Sequence, residues 1–143
     1  MAYGQSFDRA GMLNRFDVET GGYNFEVETV SNFDVTDYEF SSEDKRLTFF
    51  ISSNVKNNLV EIQIPINLID GNFTFYLNDQ EIEADVKTSE RISFITLEFP
   101  GSGFHKLDII GTTYLPEFSA VMLVFGTLLF AGLLIKRYSR IKF

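Results

Sequence analysis

The amino-acid sequence predicts a mainly β chain, in which an antiparallel β-sandwich over residues 21–112 is followed by one transmembrane α-helix over 118–135. Three observations carry that prediction. Between Tyr23 and Ile110 apolar and polar residues alternate with a period of two, the period of a strand with one buried face. Clusters of turn-forming residues interrupt the alternation about every 8 to 12 residues, the rhythm of short antiparallel strands. Finally, the 18 residues Phe118 to Ile135 carry no charge and are followed at once by Lys136 and Arg137.

Residues 1–20 are the least patterned. Phe7, Met12, Leu13 and Phe16 are spaced to suit either a short helix or an edge strand leading into Gly21-Gly22, and an extended arm is the expectation. MAYGQSFDRAGML has neither a basic n-region nor an apolar h-region, whereas Ala2-Tyr3-Gly4-Gln5 resembles the small-residue stretch around a signal-peptidase site. The start therefore reads either as a point just after such a site or as an ordinary flexible N-terminus.

Three strands are clear. Tyr23, Phe25, Val27 and Thr29 alternate with Asn24, Glu26 and Glu28; Leu47, Phe49 and Ile51 alternate with Thr48 and Phe50; Val60, Ile62 and Ile64 alternate with Glu61 and Gln63. Less regular strands are expected over 33–40, 72–77, 82–86, 91–99 and 106–110. The turns between them are SSEDK at 41–45, NVKNN at 54–58, NDQ at 78–80, TSE at 88–90 and PGSG at 100–103. Pro65 ends a strand, and Ile66–Asp70 is expected to form a single helical turn. Strands this short and this evenly punctuated point to an immunoglobulin-like sandwich.

Residues 113–117 then form a juxtamembrane linker. At about 1.5 Å per residue the uncharged run covers about 27 Å, close to the hydrocarbon thickness of a bilayer; the other reading of such a run is a buried core helix. Pro116 suits a first helical position, Glu117 suits the positive end of the helix dipole, and Tyr114, Phe118 and Tyr138 fall where interfacial aromatics belong. All 20 acidic residues precede the span, whereas Lys136, Arg137, Arg140 and Lys142 form a basic anchor in the tail 136–143. Basic residues beside a span stay on the cytoplasmic side, so the expected topology in the cytoplasmic membrane is N-terminal domain outside, C-terminus inside.

Composition excludes several chemistries. With no Cys and one His, the chain alone builds no thiol nucleophile, thiolate metal site, disulfide or multi-histidine centre. A net charge of −8 argues against nucleic-acid binding. His105 would need Ser102 or Asp108 as a partner for catalysis, and no nucleophile motif surrounds it, so a structural hydrogen-bonding role is expected and no catalytic residue, metal ligand or cofactor site is assigned. Acidic clusters at Asp34, Asp37, Glu39, Glu43 and Asp44 and at Asp79, Glu81, Glu83 and Asp85 lack calcium-loop spacing; in a strand Glu81, Glu83 and Asp85 share one face, as solubilising charge would. Asn72-Phe73-Thr74 is an N-glycosylation sequon. Gly126, Thr127, Ala131 and Gly132 give the span small surfaces for packing against a neighbouring helix.

Leu115-Pro116-Glu117-Phe118, followed by an apolar helix and a short basic tail, resembles the PEF-type C-terminal anchoring segment of archaeal surface proteins. FDVETGGYNFEVETVSN at 16–32, LVEIQIPINLIDGNFTFYLND at 59–79 and HKLDIIGT at 105–112 are similar to the small β-sandwich that precedes this segment in secreted proteins of ammonia-oxidising archaea. The resemblance implies a location more than a mechanism. Typical members carry Gly after the PEF triplet and Ser119 stands here, which favours a permanent anchor over a processed tail. The expectation is a non-enzymatic, single-pass extracytoplasmic protein with a structural or interaction role at the archaeal envelope, its partners the lipid membrane and another envelope or membrane protein. Two alternatives remain: an accessory single-pass subunit of a multisubunit membrane enzyme, and an extracytoplasmic module binding cations or small ligands.

Leu129→Arg should cost about 2.5–3.5 kcal/mol of insertion free energy. Extraction of membranes at high pH checks it: the variant is released into the supernatant while the parent stays in the pellet.

Overall fold

The computed structural model describes residues 11–114, and all of its regular structure is strand. The first element, β1 (Met12–Thr20), runs into β2 (Tyr23–Ser31) through Gly21 and Gly22, whose φ values of 61° and 83° give the two consecutive left-handed residues of a type I′ hairpin. Then follow β3 (Asp34–Ser41), β4 (Arg46–Ser53), β5 (Asn57–Pro65), the short β6 (Ile69–Asp70) and β7 (Thr74–Leu77). A second hairpin with Asn78 and Asp79 at φ 52° and 69° leads into β8 (Gln80–Ile82). The chain finishes with β9 (Asp85–Thr88), β10 (Ile92–Pro100), β11 (Gly103–Ile110) and β12 (Thr113–Tyr114).

These strands form two five-stranded antiparallel sheets, in the orders β1-β2-β5-β10-β9 and β3-β4-β11-β7-β8, with β12 and β6 as a small separate pair. The alternation decides which residues meet between the sheets. Val60, Ile62 and Ile64 of β5 and Ile95, Leu97 and Phe99 of β10 face Leu47, Phe49 and Ile51 of β4 and Leu107 and Ile109 of β11 in one buried cluster. Rings cross the gap: Phe16 of β1 lies 5.4 Å from Phe49, and Phe99 lies 5.1 Å from the His105 imidazole. The fold is therefore a β-sandwich whose core is built by the four central strands, and it contains no cysteine to reinforce it.

Two buried polar residues, Ser31 and Asn58, are tied to the backbone. Asn58, buried near the end of β5, donates to the Phe99 and Gly101 carbonyls at 3.1 and 2.7 Å while its Oδ1 accepts from Ser53. One amide thereby fastens both sheets and the β10–β11 connection.

Four sequence expectations meet corrections here. The expected arm over 1–20 is, from Met12, a full edge strand: β1 pairs with β2 over nine consecutive positions because Phe16 and Val18 reach the core. The single strand expected over 82–86 is two strands in different sheets, with Glu83-Ala84 carrying the chain across, so Glu81 and Asp85 do not share a face. The helical turn expected over 66–70 is one hydrogen-bonded turn from Leu68 N to Pro65 O, after which β6 begins. Lastly, the expected linker over 113–117 starts as strand. Tyr114, read as an interfacial aromatic, is 9% exposed, packs in a tilted arrangement 5.7 Å from the Phe40 ring and hydrogen-bonds Thr20 through its hydroxyl. The sandwich thus takes in 12–20 and 113–114. The expected span 118–135, the basic tail with Lys136, Arg137, Arg140 and Lys142, and residues 1–10 lie outside the described residues. Among the described residues no helix is long and apolar enough to cross a membrane.

One inner-face group is unpaired. Thr29 of β2 is 1% exposed, stands opposite Ile62, and its hydroxyl has no hydrogen-bond partner among the described residues. An orphaned buried hydroxyl costs about 1–3 kcal/mol, so Thr29→Val, nearly the same shape without the polar atom, should stabilise the domain by about 1 kcal/mol. A rise in the denaturation midpoint with unchanged denaturant sensitivity is the expected result.

Candidate functional site

Two regions gather chemistry-bearing side chains: the end of the sandwich around His105, and the outer face of the β3-β4-β11-β7-β8 sheet. Strand β11 passes through both. Its odd-numbered residues His105, Leu107 and Ile109 face the core and its even-numbered residues Lys106 and Asp108 face outward, so His105 and Asp108 lie on opposite sides of one sheet and do not meet.

At the sandwich end both ring nitrogens of His105 are occupied. Nε2 lies 2.9 Å from the Gly101 carbonyl oxygen, which only accepts, so Nε2 carries the proton. Nδ1 lies 3.0 Å from Asn78 Nδ2. The Asn78 amide is oriented by the Lys106 backbone N–H, which donates to its Oδ1 at 2.9 Å and forces Nδ2 toward the imidazole. The ring is therefore a neutral acceptor at Nδ1 and a donor at Nε2, held edge-on against Phe99. With both nitrogens engaged and neither Ser102 nor Asp108 bonded to it, His105 joins the β7–β8 turn to the β10–β11 loop.

The outer face is organised in cross-strand rows. Glu39, Thr48 and Asp108 stand side by side across β3, β4 and β11, with Tyr76 of β7 next in line; Phe50 and Lys106 form the neighbouring row. Asp108 is only 4% exposed although it points away from the core. Its Oδ1 accepts from the Thr48 hydroxyl, and its Oδ2 lies 3.8 Å from Lys106 Nζ, longer than a hydrogen bond. Lys106 is closer to Asp79, at 3.1 Å, and Arg46 pairs with Asp44 at 2.6 Å. These exposed pairs contribute about 0–1 kcal/mol each to stability but decide where the cations point. A groove of about 420 Å³ runs between the rows, bordered by Glu39, Arg46, Thr48, Phe50, Lys106 and Asp108.

The two acidic clusters do not assemble into cages. Asp44 is engaged by Arg46 and Ser41, Asp37 accepts from the Tyr38 N–H, Asp79 faces Lys106, and Glu81 and Asp85 sit on separate sheets. Among the described residues no group of three or more His, Cys, Asp or Glu converges as a metal site. Asn72 of the sequon is exposed at the bend before β7, its backbone N–H bonded to Thr112 Oγ1 at 3.1 Å, while Thr74 opens β7. Gly126, Thr127, Ala131 and Gly132, the expected helix-packing residues, lie outside the described residues.

Sequence reasoning missed the burial of Asp108. In the sequence Asp108 figures only as a candidate partner of His105. The available signal was the bulk of Tyr76, opposite Asp108 on β7, and of Phe50 in the neighbouring row. With this geometry in place, the fold and site define a β-sandwich with an outward-facing polar groove. Comparison with protein-family models, curated proteins and solved structures finds no match for the chain.

The Asn78 link is open to test. Glycine keeps the left-handed backbone at this position while removing the side chain, so Asn78→Gly isolates the loss of two hydrogen bonds and should destabilise by about 1–3 kcal/mol. Faster amide exchange at Lys106 in the variant is the second expected readout.

Proposed function

We propose that the chain is a non-enzymatic, single-pass membrane protein of an archaeal cell envelope, whose β-sandwich stands outside the cytoplasmic membrane in a structural or interaction role. The observation that carries this reading is the short distance from the docked end of the sandwich to the apolar run. Tyr114 is fastened to Phe40 and Thr20, and Phe118 opens the uncharged segment only four residues later. Four residues span at most about 14 Å, so a domain followed by a membrane helix at 118–135 rests almost on the bilayer. Sequence charge supports the orientation, since Lys136, Arg137, Arg140 and Lys142 follow the run and every acidic residue precedes it.

The engagement of both His105 nitrogens supports a non-catalytic role for the one histidine. Strand order supports an immunoglobulin-like relation. The neighbours β9-β10-β5 on one sheet and β4-β11-β7-β8 on the other correspond to D-E-B and G-F-C-C′, with β4 taking the last strand's place from an earlier position in the chain. Such a domain presents sheet faces and loop ends to partners while its core carries no chemistry.

Protease added to intact cells tests the topology. An epitope inserted in the exposed turn at 42–44 should be removed and one fused after Phe143 should survive. Survival of the first epitope under conditions that digest a known outer-surface control overturns the reading.

A further inference from the structure

The groove on the outer face of β3, β4 and β11 has a chemistry that selects among ligand classes. Its floor is Asp108, a carboxylate 4% exposed. Its Oδ1 accepts from the Thr48 hydroxyl, whereas Oδ2, 3.8 Å from Lys106 Nζ, accepts no hydrogen bond among the described residues and keeps its contact with solvent in the groove. A carboxylate oxygen with open lone pairs therefore borders the groove, and Glu39 supplies a second carboxylate in the same row.

Charge decides what does not fit. An anion would meet the Glu39 and Asp108 carboxylates, which leave a lining of two carboxylates and two cations with no net positive charge. A metal cation would meet Arg46 and Lys106 on the groove walls, and no group of three or more carboxylates converges among the described residues. A neutral molecule that donates to carboxylates, accepts from ammonium and guanidinium groups, and lays an apolar face on the Phe50 ring meets none of these penalties. Vicinal hydroxyls on a ring with a C–H face have that combination, and small-ligand sites are typically a few convergent polar groups beside an apolar wall.

We propose that this groove binds neutral sugar units, as in an uncharged polysaccharide of the envelope. Glu39 and Asp108 receive sugar hydroxyls, Arg46 and Lys106 donate to ring or hydroxyl oxygens, and Phe50 stacks on the sugar's C–H face. The biological source of the sugar rests on the envelope reading above; the binding itself does not.

The test uses the full chain in a phosphocholine detergent, which has no sugar head group, titrated calorimetrically with maltohexaose, mannohexaose and chitohexaose, and with a hyaluronan hexasaccharide as the anionic comparison. At least one neutral hexasaccharide should bind and the anionic one should bind more weakly. Glu39→Gln, at an exposed edge-strand position where folding is not at risk, and Phe50→Thr should each weaken binding by about tenfold, the equivalent of one charge-assisted hydrogen bond or one stacking face. Asp108→Asn should do the same if its melting temperature matches the parent. Glu61→Gln, on the outer face of the other sheet, should change nothing. The proposal is overturned if no neutral hexasaccharide binds below about 10 mM, or if Glu39→Gln and Phe50→Thr both bind as tightly as the parent. High-pH extraction of membranes before solubilisation separates the two readings. A chain that stays in the pellet but binds no sugar defeats this inference alone, and a chain that binds sugar but is released defeats the anchoring reading alone.

Discussion

The interaction on which the rest depends is the closure of β4 and β11 against β5 and β10. These four strands supply most of the aliphatic and aromatic side chains that are almost wholly shielded from water, and each would be unstable with its apolar face in solvent. In a chain without cysteine, no disulfide shares that work with the apolar contact between the two sheets. The outer strands depend on it in turn. β1 is positioned through Phe16 against Phe49, β3 through Tyr38 and Phe40, and β9, with every residue exposed, only through its pairing with β10.

The same closure fixes the polar sites. Because β11 is central in its sheet, its alternation sends His105 to one side and Asp108 to the other, and the neighbours of each follow from register. His105 meets Phe99 because β10 lies across the gap, and Asp108 meets Thr48 because β4 is its hydrogen-bonded neighbour. A one-residue slip would exchange the two sides, exposing Leu107 and Ile109 and burying Lys106 in the core, so the core that holds the fold also holds the groove in register.

The central strands were legible in the sequence because their periodicity is almost undisturbed, as in Val60, Ile62 and Ile64. The errors fall where local pattern and partner disagree. Glu81, Glu83 and Asp85 keep a period of two through a point where the chain leaves one sheet for the other, and nothing local marks the crossing. Met12 and Leu13 are both apolar and exposed, which blurs the alternation of β1. Thr113-Tyr114 reads as linker because a two-residue strand has no period; only its partner β6 defines it. At the groove, the residue types were visible but the burial of Asp108 was not, since its cross-strand neighbours Thr48 and Tyr76 come from strands far from it in the chain.

The tie between β12 and β6 has a mechanical consequence. A pull on the chain from residue 115 onward reaches the sandwich first through Thr113 and Tyr114, which are paired over only two positions, and then through β11, which is bonded to a neighbour along both edges. Load therefore meets a small clasp before it meets the central strand. Once the clasp, the Tyr114 contacts with Phe40 and Thr20, and the bonds from Gly111 N–H to Lys45 O and from Thr112 N–H to Asp70 O have given way, Gly111 to Tyr114 supply about 14 Å of slack at full extension before β11 itself is loaded. A domain tethered from this end has a built-in strain relief.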